Sequence, residues 1–231
     1  MIGTALAAVA VGVLVAAVWF MGRGYVRALR YYGKYQSARF PRARLSDLYS
    51  ALKTGDILLF VPFAHGFYNS MLTDDLFSHT AMIVARDGSL YTSEATEGAE
   101  LGPAGHARPG ADLVPLLARL KNYSGTAYVM RLNKALPPVV ADTVSNMAGE
   151  THPYPSLMQI VKGALGLDVA ARHCFLHVAN LMRAAGIVDS SFRPGFLNSK
   201  AITGIAGKPL LGGYSYLLPR QILYDLDAEK V

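Results

Sequence analysis

The sequence predicts an α+β domain behind a membrane-spanning N-terminal helix. Three observations carry that expectation. An uncharged apolar run fills Ile2–Met21, two β-type runs flank Asp87-Gly88, and helical start or stop signals stand at Pro137-Pro138 and Gly186. The 231 residues are 52% hydrophobic and 16% charged, which suits one folded domain with an apolar appendage and excludes a disordered tail.

The first element is "IGTALAAVAVGVLVAAVWFM". At about 1.5 Å rise per residue it spans about 30 Å, the hydrocarbon thickness of a bilayer. Trp19 and Phe20 stand at one end, where aromatics favour the interface. A cleaved signal peptide would carry a basic start and a small-residue cleavage site. No Lys or Arg precedes this run, and Trp19, Phe20 and Met21 are bulky, so residues 1–22 read as a retained anchor in a lipid bilayer. Ala8, Gly12 and Ala16 recur every four residues and would offer a helix–helix contact face.

Residues 23–48 read as a basic juxtamembrane segment. Arg23, Arg27, Arg30, Lys34, Arg39, Arg42 and Arg44 are accompanied there by no acid before residue 45. The other 15 of the 22 cations nearly balance all 16 acids. The net +6 is therefore a local belt, which argues against nucleic acid as a partner. Basic flanks stay on the cytoplasmic side, so a single-pass protein with a cytoplasmic C-terminal domain is expected, or the equivalent face of a viral membrane. Arg23, Arg27, Arg30 and Lys34 would meet anionic lipid headgroups. The stretch from Gly24 reads equally as a basic aromatic helix near the membrane and as a solvated linker.

The domain proper is expected over 49–231. "TGDILLFVPF" is a Gly-Asp turn feeding a strand from Ile57 to Phe63. "FSHTAMIVARDGSLYTSEA" is a hairpin, because Asp87-Gly88 suits the φ > 0 residues of a tight turn. Further strands are predicted at Thr126–Leu132 and at Tyr214–Pro219. Helices are predicted from Pro138 to about Glu150, opened by proline, and from Cys174 to Ala185, ended by Gly186. The stretch "GPAGHARPGAD" reads as a flexible loop in which His106 is solvent-exposed.

The hairpin places two polar residues. A turn at Asp87-Gly88 sets His79 against Thr96 and Ala81 against Glu94, so His79 and Glu94 become diagonal neighbours on one face, about 7–8 Å apart at the backbone. Glu94 would accept the Nδ1 proton of His79 and leave Nε2 to take one. An ordinary surface pair is the alternative, and a one-residue slip would part the two.

Cys174 is the single cysteine, which excludes intrachain disulfides and cysteine-rich metal sites and fits a reducing compartment. It opens a helix whose apolar stripe is Cys174, Val178, Leu181, Met182 and Ala185. A helix N-terminus favours the thiolate, yet the same position suits a small core residue. No good N-cap precedes Cys174, and Asp168 is the nearest convincing one. His173 and His177 are rival local bases, and a Cys–His metal pair lacks further ligands in the sequence. No metal and no cofactor are predicted.

The order "TGDILLF", "FSHTAMIV", "LYTSEA", "HCFLHVANLMRAAGI", "LLPRQIL" resembles the circularly permuted papain-like proteins. These are relatives of the NlpC-type peptidases and of lecithin–retinol acyltransferase, and the resemblance is nearest the YiiX-like branch. It spans roughly residues 53–223 and implies an antiparallel sheet packed on helices, with Cys174 as nucleophile, His79 as general base and Glu94 orienting His79. The family commonly follows its cysteine with Ser-Glu-Leu, where Phe175-Leu176-His177 stands here. The implied activity is a membrane-anchored cysteine hydrolase or acyltransferase (amidase, peptidase or lipid esterase) on an amide or ester of a lipid or lipid-linked substrate. The alternative is a structural membrane or virion protein with a vestigial site.

Overall fold

A computed structural model of the chain describes residues 40–62, 77–96, 110–150, 173–192, 194 and 200–230, and seven positions between 11 and 26. Seven strands form one sheet: β1 (Arg42–Arg44), β2 (Ile57–Pro62), β3 (His79–Arg86), β4 (Ser89–Thr96), β5 (Gly110–Pro115), β6 (Gly125–Met130) and β7 (Arg220–Leu223). Their spatial order is β1-β7-β6-β2-β3-β4-β5. Every pairing is antiparallel except that of β1 with β7. The helices are α1 (Leu45–Tyr49), α2 (Leu116–Lys121), α3 (Pro138–Ala148), α4 (Cys174–Ala184) and α5 (Lys200–Thr203). The class is α+β, as expected.

Both faces of the sheet are covered, which explains the unbroken apolar run of β2. Ile57, Leu59 and Val61 join Met82, Val84 and the α4 stripe in one core. Leu58 and Phe60 join Ala81, Ile83 and the α1 and α2 leucines in the other. Alternate residues of one strand thus feed opposite layers.

The hairpin of β3 and β4 has the expected register, from Met82 opposite Ser93 to Arg86 opposite Ser89. Asp87 (φ 51°) and Gly88 (φ 75°) both lie in the left-handed region, the requirement of a type I′ turn. The Gly-Asp turn before β2 is a buried joint. Asp56 accepts Leu132 N–H at 2.7 Å and Lys53 N–H at 3.1 Å, and the Tyr216 hydroxyl donates to Gly55 C=O at 2.8 Å.

Three expectations need correction. The juxtamembrane segment does not extend to residue 48, because Arg42–Arg44 is the edge strand β1 and Leu45 and Leu48 of α1 are buried. The last strand is β7, not Tyr214–Pro219. Pro219 has no N–H to give a ladder, and Tyr216 turns its buried ring inward to Gly55. The loop expected to include 110–112 instead enters β5 at Gly110, and α2 follows at once. His173 stands at the N-cap of α4 and gives no side-chain cap, in keeping with the lack of a good capping residue just before Cys174.

Other expectations fall on residues outside those described: His106, Asp168, Phe63, Arg23, Arg27, Arg30 and Lys34. Within the apolar run, Val11, Gly12, Val15, Val18 and Trp19 are helical. The three valines and the tryptophan are more than half exposed. Among the described residues, no helix is long and apolar enough to cross a membrane. Gly12 is the one described member of the small-residue set, and a Cβ there would meet nothing within 4 Å.

Candidate active site

Cys174 is the first residue of α4, a helix shaped by clear signals. Its stripe Cys174, Val178, Leu181, Met182 and Ala185 is buried throughout. Its end is a Schellman turn: Gly186 (φ 65°) donates to Arg183 C=O and Ile187 donates to Met182 C=O, both at 2.9 Å. Packing α4 against β3 and β4 carries its N-terminus to the end of β3 where His79 stands.

His79 is the first residue of β3. Its Nε2 lies 2.6 Å from Glu94 Oε2, and its charge is coupled to that of the Cys174 thiol. The expected nitrogen is therefore exchanged: Glu94 takes Nε2 rather than Nδ1. The layers explain why one ring meets both. Glu94 lies on the side of Phe60 and α2, Cys174 belongs to the opposite core, and His79 sits at the sheet end between them.

Glu94 is 1% exposed and fully occupied by donors. Arg119 of α2 binds it bidentately, Nε to Oε1 at 2.8 Å and Nη2 to Oε2 at 3.1 Å, and the Thr92 hydroxyl donates to Oε1 at 3.1 Å. Arg119 is the site residue that the sequence reading missed. "LLARLK" is an unremarkable helical hexamer, and only the arginine's place in an otherwise apolar buried face marks it.

Electrostatics follow from these contacts. Burial works against the Glu94 carboxylate, but the His79 hydrogen bond and the Arg119 charge outweigh it and hold its pKa down at about 2. Burial likewise opposes the Cys174 thiolate, yet the His79 charge, then His173 and His79 hydrogen bonds, lower it to about 6. For His79, burial favours the neutral ring. The thiolate of Cys174 and then Glu94 override it and raise the imidazolium to about 10. Thiolate and imidazolium support one another as a single coupled pair.

The rival bases separate. His173, at the N-cap, helps to hold the Cys174 thiol below its ordinary pKa. His177 is buried and places Nε2 2.7 Å from the Ser93 hydroxyl, which itself donates to Ala148 C=O at 3.3 Å, so it ties α4 to β4 and α3. Of the three residues after Cys174, Phe175 and His177 are buried and Leu176 is half-buried. No group of three or more His, Cys, Asp or Glu among the described residues could hold a metal ion.

Comparison with known proteins adds little. No family model matches the chain, and no curated protein matches it. Among solved structures, the chain is similar to the crystal structure of metalloprotein YiiX from Escherichia coli O157:H7. That match has a TM-score of 0.41 and 16% identity, covering 72% of this chain and 88% of that one. A likeness that distant carries no argument about the site, which rests on its own geometry.

Proposed function

We propose that the chain is a membrane-anchored thiol hydrolase or acyltransferase acting on an amide or ester bond. The observation that supports it most is the 2.6 Å bond of His79 to the buried Glu94 carboxylate, with the His79 charge acting on Cys174 at a helix N-terminus. In this reading Sγ of Cys174 attacks the carbonyl carbon and the C=O π pair moves onto oxygen. Imidazolium His79 then protonates the departing oxygen or nitrogen as its bond to carbon breaks. The product is a thioester on Cys174. Water, or an alcohol or amine acceptor, attacks it while His79 takes the incoming proton, and the thiolate leaves. First-turn N–H groups of α4, free of any side-chain cap, are oriented to stabilise the oxyanion.

The apolar run Ile2–Met21 and the belt Arg23, Arg27, Arg30 and Lys34 favour a lipid or lipid-linked substrate at a membrane surface, with the domain on the cytoplasmic side. A second reading, a structural membrane or virion protein with a vestigial site, is favoured by one feature: Cys174 is only 6% exposed.

The deciding experiment is iodoacetamide alkylation of Cys174 against pH, on the full chain in detergent. The enzyme reading expects a midpoint near 6 that moves toward the ordinary thiol value of about 8.5 in His79→Ala. An unshifted thiol indifferent to His79 would leave the structural reading.

A further inference from the structure

We infer that Arg119 is a positioning residue of the Cys174–His79–Glu94 site: its guanidinium fixes the Glu94 carboxylate and completes the charge balance that lets this buried site hold a thiolate and an imidazolium. The inference rests on the reading of Cys174 as a nucleophile poised by His79.

The geometry is that of a clamp. The Arg119 and Glu94 side chains are 2% and 1% exposed. Two parallel N–H···O bonds set the plane of the carboxylate. With Thr92 and His79 added, each carboxylate oxygen accepts two donors, so the carboxylate has no lone-pair site to spare and no room to rotate.

The guanidinium is fixed in turn by two rings. Its Cζ lies 4.7 Å from the Phe60 ring centre and 4.9 Å from that of Tyr123. Phe60 is also the Cα partner of His79, and its ring lies 5.5 Å from the imidazole. One aromatic side chain therefore aligns both ends of the relay.

Charge supplies the second half. Thiolate, imidazolium, carboxylate and guanidinium sum to zero, and a buried site tolerates charge only when it is compensated. Among the described residues, the other titratable groups facing the site are few. His173 contacts the thiol from the N-cap of α4. Asp112, the Cα partner of Glu94 on β5, is half-buried and binds Leu113 N–H. Tyr123 stacks on Arg119, and His177 lies on the other side of β4 with Ser93. Arg119 is thus the permanent cation of the cluster.

Removing only that cation leaves a net negative site, which takes up a proton. The test is alkylation of Cys174 against pH on the full chain in detergent, alongside thermal unfolding. Arg119→Met should raise the midpoint by a unit or more, read as about a fivefold or greater fall in rate at pH 6. Arg119→Lys, which keeps the charge, should stay within about half a unit of wild type. Glu94→Gln, which leaves the opposite imbalance, should not raise the midpoint.

The double change Glu94→Gln with Arg119→Met should titrate above Glu94→Gln alone. That pair of variants carries the test if Arg119→Met does not fold. A low wild-type midpoint that neither Arg119 change moves would overturn the inference alone. A wild-type thiol titrating near 8.5 and indifferent to His79→Ala would overturn the reading beneath it and the inference with it.

Discussion

His79 presents Nε2 to Glu94 Oε2 at 2.6 Å, which leaves Nδ1 as the ring nitrogen that the carboxylate does not engage. A ring acted on by two anions, the Cys174 thiolate and the Glu94 carboxylate, keeps two protons. In ¹⁵N spectra of the imidazole nitrogens, His79 should remain doubly protonated through neutral pH and titrate near 10. Cys174→Ser removes the thiolate, the largest influence favouring the imidazolium, and its titration should fall by a unit or more. A wild-type ring already neutral at pH 8 would show that no ion pair forms.

Glu94 and Arg119 should set the acid stability of the fold. The carboxylate is ionised at a lower pH in the folded chain, about 2, than its ordinary 4.5. Its contribution is therefore fully present above pH 4.5 and is lost as pH falls toward 2. Glu94→Gln leaves a buried guanidinium without its anion and should cost about 3–5 kcal/mol at pH 7. Urea unfolding from pH 2 to 7 should show the gap between wild type and variant closing only below about 4.5. A gap independent of pH would mean that the glutamate's charge is not what stabilises.

How much of this was legible depends on whether the signal was local. The turn at Asp87-Gly88 was legible because two adjacent residues must both adopt positive φ, and it fixed the face shared by His79 and Glu94. The α4 stripe and its glycine stop were legible for the same reason. The nitrogen that meets Glu94 was not, since it depends on where α4 docks relative to the end of β3. Arg119 was not either: its role is created by a long-range approach of α2 to β4, and within "LLARLK" only its place on an apolar face marks it. The strand β1 escaped notice because Arg42–Arg44 is a three-residue edge whose exposed arginines read as part of a basic belt.

Ser93→Ala separates structure from chemistry in α4. The substitution removes the hydroxyl that meets His177 Nε2 at 2.7 Å and Ala148 C=O at 3.3 Å. The loss should be about 1–3 kcal/mol of stability, with the pH profile of Cys174 alkylation unchanged. If the variant instead reproduced the shift of His79→Ala, His177 would have to be counted as a base acting on the thiol.

The joint at Asp56 predicts the complementary behaviour: large effects on folding without effect on the site. Asp56 is fully buried, and burial pushes its pKa up even against the Leu132 N–H, its strongest favourable contact. Asp56→Ala leaves the Leu132 and Lys53 N–H groups without the carboxylate that joins β2 to the segment after β6, and should cost about 3 kcal/mol. Tyr216→Phe deletes only the hydroxyl donated to Gly55 C=O and should cost about 1 kcal/mol. Chemical unfolding gives both costs. At temperatures where each variant is folded, alkylation of Cys174 at pH 7 should match wild type. A slowed alkylation in folded Asp56→Ala would mean that the Gly-Asp turn, conveyed through β2 to Phe60 and its partner His79, holds the imidazole in place.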